Sequence, residues 1–169
     1  KVCSAYYFSE NFTGKNVTGY LRNTAVGALE MADGLERALK IANEQGYGLL
    51  VWDAYRPVRA VNCFADWASR PDDGRTKARH YPNVDKSQLF ELGYIAHSSG
   101  HSRGSSVDLT LTDMDGQPLD MGTCFDFMDD ASHHDSLLVP PEATARRNLL
   151  RDIMGRAGFK PYSCEWWHY

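Results

Sequence analysis

The stretch Tyr47-Gly-Leu-Leu-Val-Trp-Asp-Ala-Tyr-Arg-Pro-Val58 decides the fold class. Tyr47–Trp52 is a short, mostly apolar run, the length and composition of a buried strand rather than a helix. Pro57 follows, and proline suits a first helical position, where its missing N–H removes no bond. A helix over Val58–Ser69 is therefore expected. Upstream, Val26, Leu29, Leu35, Leu39 and Ala42 recur near helical spacing, with Thr24 as candidate cap and Gly46 as stop. Downstream, residues 70–86 hold turn formers and charges and read as a long surface loop. Ser106–Leu111 alternates as a second strand. Residues 113–136, rich in Asp, Gly and His, read as another loop. Pro140-Pro141 opens a third helix over 142–157, ended by Gly158. Phe159–Tyr162 and Glu165–His168 read as a final hairpin or paired strands. The expected class is α+β, a small antiparallel sheet with helices packed on it.

With 169 residues, the length prior gives a single domain, 1–169, large enough to bury a proper core. Hydrophobic residues make up 43% and charged residues 24%, which excludes a disordered chain. The longest apolar runs, such as Leu49-Leu50-Val51-Trp52, are too short to span a bilayer. A formal net charge of −4 with scattered Lys and Arg gives no nucleic-acid footprint. A small polar or zwitterionic partner fits that balance better than a polyanion. Four cysteines, Cys3, Cys63, Cys124 and Cys164, contain no Cys-x-x-Cys pair, so a zinc knuckle is not expected. Two readings stand for them: scattered buried thiols, or up to two disulfides in an oxidising compartment.

Chemistry concentrates in two places. One is Ser98-Ser-Gly-His-Ser-Arg-Gly-Ser-Ser-Val-Asp108 and the other is Glu165-Trp-Trp-His168. His101, Asp108 and His168 together form a candidate zinc set, since catalytic zinc commonly takes three protein ligands and keeps a fourth position open. Glu165 is then free to take a proton from water. The spacing sets a condition. Residues an odd number apart on a flat strand face opposite ways. Gly104 can supply a bend before Asp108, and the terminal segment needs a twist, a bulge or a helical turn between Glu165 and His168; alternatively the two pairs project from different places around the metal, with Glu165 reaching only the water. The alternative is that His101 is a loop residue and the Trp-Trp-His segment is simply core. His133-His134 reads as structural rather than as a second metal site, because adjacent imidazoles diverge. Asp113-Met-Asp-Gly116 lacks the later ligands of a calcium loop and reads as a β-turn. Cys164 lacks a base-orienting partner and reads as packing or a disulfide rather than a nucleophile.

The chain as a whole resembles the VanX-type D-alanyl-D-alanine dipeptidases of the M15 zinc metallopeptidases. The resembling stretches include Asn11-Phe-Thr-Gly14, Trp52-Asp-Ala-Tyr-Arg-Pro57, Ser102-Arg-Gly-Ser105, Val107-Asp-Leu-Thr-Leu111, Phe125-Asp-Phe-Met-Asp129, Ser132-His-His134 and Glu165-Trp-Trp-His168. They run in the family's order along nearly the whole chain. The resemblance implies a small α+β metallopeptidase fold and one Zn²⁺ held by His101, Asp108 and His168. It implies Glu165 as general acid/base and Arg56 as the arginine steadying the oxyanion, although Arg56 is also placed to pair with Asp53. It implies Asp126 as the carboxylate receiving the substrate's ammonium, with Tyr6, Tyr20 and Ser99 lining the dipeptide pocket.

The implied reaction is hydrolysis of free D-Ala-D-Ala. The alternatives are a D,D-carboxypeptidase acting on peptidoglycan stems and a non-catalytic zinc-binding wall module. Gly100 stands where the best-known members carry Ser, so pocket polarity differs there. The extra cysteines and the non-Met start point to a bacterial periplasmic location, with the cytoplasm as alternative. No membrane or nucleic-acid partner is expected, and oligomeric state is not legible.

Overall fold

The computed structural model describes residues 1–169. Its elements are α1 (Leu29–Asn43), β1 (Gly48–Asp53), α2 (Val58–Ser69), α3 (Lys77–His80), β2 (Asp108–Thr112) and α4 (Pro141–Arg156), with short 3₁₀ turns at Lys86–Gln88, Gly100–Arg103 and Asp130–Ser132. This is an α+β fold around a two-stranded antiparallel sheet.

β1 and β2 pair from Gly48 opposite Thr112 to Val51 opposite Leu109, and then the register slips so that Asp53 lies opposite Asp108. That irregularity at Trp52 brings two carboxylates together at one end of the sheet. Both sheet edges are covered by irregular chain. On the β1 side the N-terminal segment pairs through Cys3 N–H to Val51 O (2.9 Å) and Val51 N–H to Lys1 O (3.0 Å). On the β2 side, Val107 and Tyr169 exchange bonds of 2.8 and 3.0 Å, and Leu109 N–H reaches Trp167 O at 3.1 Å. Covering the edges satisfies backbone groups that would otherwise invite another chain.

Two apolar clusters flank the sheet. One joins α1, α4 and both strands, through Ala38, Ala42, Leu109, Leu111, Leu150, Ile153 and Trp166. The other packs α2 against the N-terminal segment and the 81–95 loop, through Tyr6, Phe12, Phe64, Trp67, Tyr81 and Leu89. Phe125 packs on both. The 121–133 loop that carries Phe125 is held from behind by Arg147 of α4, which is fully buried. Its guanidinium donates to Met121 O (2.7 Å), Ala131 O (2.9 Å), His133 O (2.9 Å) and Thr123 Oγ1 (3.3 Å).

Several expectations are corrected. α1 begins at Leu29, and Thr24 is not its cap, because residues 24–28 stay extended to serve the loops beside the sheet end. Tyr55 N–H donates to Val26 O (2.7 Å) and Ala28 N–H to Gly104 O (2.8 Å). Pro57 caps α2 from just outside rather than occupying its first position. The 70–86 loop hides α3, too short to leave a periodic signal. Phe159–Tyr162 and Glu165–His168 do not form a strand pair. They meet through Tyr162 alone, at a bridge to Glu165 and a 2.9 Å bond from its N–H to His168 O, and His168 also bridges to Asp108. The four cysteines are all free thiols, so the disulfide reading falls, and with it the support it lent to an oxidising compartment. Asp113–Gln117 is a turn, closed by Gly116 N–H to Asp113 O at 3.1 Å. No helix is long and apolar enough to cross a membrane.

Removing the Arg147 side chain would leave the buried Met121 and Ala131 carbonyls without their donor and take one of two donors from His133 O. Arg147→Ala is expected to lower unfolding free energy by roughly 3 kcal/mol or more, read from the urea midpoint at unchanged slope.

Candidate active site

The slipped register at Asp53 and Asp108 is where the site is built. His101 sits on the 3₁₀ turn Gly100–Arg103, capped by Ser99, whose Oγ accepts from His101 N–H at 3.2 Å. Gly104 follows at φ 75°, a left-handed position that suits glycine and supplies a bend before Asp108. At the other end, His168 N–H donates to Glu165 O at 3.1 Å, the helical turn needed to bring those two side chains round together.

The three candidate ligands converge. His101 Nε2 lies 3.2 Å from His168 Nδ1 and 3.3 Å from Asp108 Oδ2, while His168 Nδ1 lies 3.0 Å from Asp108 Oδ1. No other His, Cys, Asp or Glu cluster draws its donor atoms together in this way. Ligands about 2.0–2.2 Å from one tetrahedral ion sit roughly 3.3–3.5 Å apart, so the observed spacing fits a single divalent ion.

The donor chemistry agrees. His101 Nδ1 lies 2.7 Å from Ala54 O. A carbonyl only accepts, so Nδ1 carries the proton and Nε2 offers a lone pair. Asp108 Oδ1 is buried and finds no hydrogen bond of acceptable angle. Lone pairs and an unsatisfied carboxylate oxygen aimed at one point are what a cation would relieve.

The charges around this point are interlocked. Burial works against an ionised Asp108, but His101 and His168 override it and hold the carboxyl well below the ordinary range. Burial likewise disfavours a charged His168, and the adjacent Asp108 outweighs it, so that pKa is raised. Glu165 Oε2 lies 3.7 Å from His168 Nδ1 without joining the cage. Burial and then the charge of Asp108 push its carboxyl up to about 7.

Arg56 bridges the two facing acids, with Nε 2.9 Å from Asp53 Oδ2 and Nη2 3.4 Å from Asp108 Oδ2. Its guanidinium carbon lies 5.1 Å from the Phe64 ring centroid and 5.3 Å from that of Tyr6. Arg56 thus makes the Asp53 pair its sequence position allowed, and its Nη2 side turns to Asp108 of the cage.

The cage opens onto a cavity of about 310 Å³ bordered by Tyr6, Arg56, Phe64, Ser99, Asp126 and Tyr162. That is the lower end of the roughly 300–1,000 Å³ typical of small-molecule sites. Asp126 closes one side. Its two carboxylate oxygens accept from Tyr6 Oη at 3.2 and 3.0 Å, and burial with the nearby Asp108 raises its pKa well above normal.

Of the residues singled out in the sequence, Tyr6, Arg56, Ser99, His101, Asp108, Asp126, Glu165 and His168 all border this cavity. Tyr20 does not. Its ring lies 5.3 Å from that of Tyr6 and its hydroxyl donates to Asp53 Oδ1 at 2.8 Å, which makes it a support for the Asp53–Arg56 pair. Tyr162, beside His168 at 5.5 Å between centroids, was missed, because a tyrosine in a short loop leaves no pattern. His133 and His134 form no second cage. His133 leans on Asp130, while His134 is buried against Tyr169.

A buried three-donor cage for a divalent ion, opening onto a small cavity with a free carboxyl beside it, defines a metal-dependent hydrolase. The M15 peptidase family profile, described as D-Ala-D-Ala dipeptidase, matches residues 1–169, and the chain belongs to that family of metal-dependent peptidases. Among its relatives, a D-alanyl-D-alanine dipeptidase of Streptomyces coelicolor is 53% identical over 161 residues, covering 95% of this chain and 80% of the relative. One of Enterococcus faecium is 50% identical over the same shares. One of Escherichia coli is 35% identical over 97% of this chain and 75% of the relative.

Metal analysis of purified protein is expected to give one divalent ion per chain. His168→Ala is expected to lose it, and chelation is expected to lower the melting temperature of the wild type but not of that variant.

Proposed function

We propose that the 1–169 segment is a single zinc D,D-dipeptidase domain that hydrolyses free D-Ala-D-Ala to two D-alanines. The observation that carries this reading is the pairing of a cage able to hold one ion with a small cavity that the buried carboxylate of Asp126 also lines. His101, Asp108 and His168 would hold the zinc. When bound, that ion supplies Lewis acidity, polarising a carbonyl and acidifying water.

The chain's own side chains do the rest. Asp126 receives the substrate's ammonium and, with Tyr6 across the cavity end, fixes the dipeptide's N-terminus. Arg56 donates from the guanidinium edge not used by Asp53 to the oxygen on which negative charge develops. Asp53 and Tyr20 hold that guanidinium in place before the substrate arrives. Glu165 takes a proton from the attacking water as the carbon–oxygen bond forms. It returns the proton to the departing nitrogen as the carbon–nitrogen bond breaks. A pKa near neutrality suits a group that must both accept and give back.

The Asp126 carboxylate favours a dipeptidase over a carboxypeptidase for longer stems, because an ammonium-binding wall occupies the place where further residues would extend. The retention of Arg56 and Glu165 argues against a purely binding role.

Glu165→Gln is expected to keep its zinc and lose about 10³-fold or more in kcat. Wild-type turnover in that variant would remove Glu165 from the reaction. A panel of D-Ala-D-Ala, its N-acetyl form, L-Ala-L-Ala and a stem pentapeptide should show turnover of the first alone. Cleavage of the pentapeptide at a comparable rate would move the activity to the carboxypeptidase class.

The raised Asp126 pKa sets a direction with pH. Ammonium binding needs the ionised carboxylate, so KM should rise as pH falls, beginning at a higher pH than an ordinary carboxylate would require. Asp126→Asn should show a high KM that stays flat where the wild-type KM rises.

A further inference from the structure

Asp126 is the only residue other than glycine with a positive φ, 57°. Aspartate visits this region more readily than most side chains, but it is uncommon there and is kept where its surroundings favour it. The partners that favour it come from α3 and the chain just after it. His80, the last residue of α3, is buried, and its Nδ1 lies 3.1 Å from Asp126 O. Its own carbonyl accepts from Met128 N–H at 2.7 Å. Arg79 O accepts from the Cys124 thiol at 3.4 Å, and Asn83 Nδ2 donates to Asp129 Oδ2 at 2.8 Å.

A four-residue helix leaves its last carbonyls without internal partners. Two of them are spent on the 124–128 loop. The remaining contact runs the other way, from the His80 ring to the loop's carbonyl, at the left-handed residue itself. Since that carbonyl only accepts, Nδ1 of His80 carries the proton. Burial lowers the His80 pKa, which keeps the ring neutral near physiological pH and the tautomer fixed.

We propose that His80 is a positioning residue for the substrate's ammonium: by donating to the Asp126 carbonyl it holds the left-handed turn that points the Asp126 carboxylate into the cavity. The proposal rests on the reading of Asp126 as ammonium acceptor. His80 itself does not border the reaction cavity. It lines a separate one of about 670 Å³, behind Phe125 and Asp126, together with Trp52, Cys124 and Trp166. It therefore acts on affinity and on the choice between free and blocked N-termini, not on the chemical step.

The test uses the zinc-loaded full chain as wild type, His80→Leu, His80→Asn and Asp126→Asn. kcat and KM are measured for D-Ala-D-Ala and its N-acetyl form, with bound zinc and melting temperature alongside. His80→Leu should raise KM for the free dipeptide about tenfold with kcat within about twofold, and should narrow the preference for a free N-terminus by a similar factor. Zinc content should be unchanged. His80→Asn, whose amide N–H can reach the same carbonyl, should recover most of the loss.

An unchanged KM and preference in His80→Leu, with both altered in Asp126→Asn, would overturn the proposal and leave the ammonium reading standing. A matched loss in kcat and zinc without rescue by Asn would overturn it as general damage. No effect in Asp126→Asn would bring down the ammonium reading and the proposal together. Should His80→Leu fail to fold, the wild type still decides: ¹⁵N-edited spectra should show a neutral His80 ring protonated at Nδ1, and an Nε2–H tautomer would contradict the proposal.

Discussion

The structure depends on an electrostatic condition at the end of its small sheet. A buried carboxylate, Asp108, and two imidazole nitrogens converge to within 3.3 Å of one another. Such a cluster is unfavourable in isolation, because lone pairs face one another and a carboxylate oxygen has no hydrogen-bond donor of its own. Around it the protein has already fixed everything else. Ala54 O sets the His101 tautomer, Asp53 sets Arg56, and Tyr20 sets Asp53. A divalent ion completes the arrangement, so metal binding and local stability are expected to be one event.

The sheet register makes this geometry possible. Were β1 and β2 paired without the slip at Trp52, Asp53 and Asp108 would not lie opposite each other. The Arg56 fork spans those two acids and presents its remaining edge to the cavity. The seam between the two apolar clusters leaves room for the cavity, and Phe125, touching both, brings Asp126 to its far wall. Arg147 anchors that loop through α4, and the α3 segment anchors it from the opposite side. A small site is thus held from several independent directions, which is what a preorganised hydrolytic centre needs.

Much of this was legible in the sequence, for identifiable reasons. Tyr47–Trp52 and Val58–Ser69 carry apolar patterns matched to their burial, and α2 falls where that pattern places it. The odd spacings of His101 to Asp108 and of Glu165 to His168 rule out flat strands and leave a bend and a turn as one way to converge, and both exist, at Gly104 and at the His168–Glu165 backbone bond. What was not legible depends on tertiary partners. Residues 24–28 have helical spacing, yet their backbone groups are claimed by Tyr55 and Gly104. α3 is too short for periodicity. The terminal segment alternates like a strand, but of residues 159–162 only Tyr162 bonds to it, and Trp167 and Tyr169 bond to β2 and the residue before it. Tyr20 shares the aromatic neighbourhood of the cavity without bordering it, a distinction that only the direction of its hydroxyl decides.

The central claim is that His101, Asp108 and His168 share one metal ion while Glu165 stands beside it uncoordinated. Anomalous difference maps from crystals of the purified protein, recorded on either side of the zinc absorption edge, test it directly. The account predicts one strong peak per chain, roughly 2.0–2.2 Å from His101 Nε2, His168 Nδ1 and an Asp108 oxygen, with Glu165 beyond bonding distance. A peak lying elsewhere, or one in which Glu165 replaces any of the three, would contradict it.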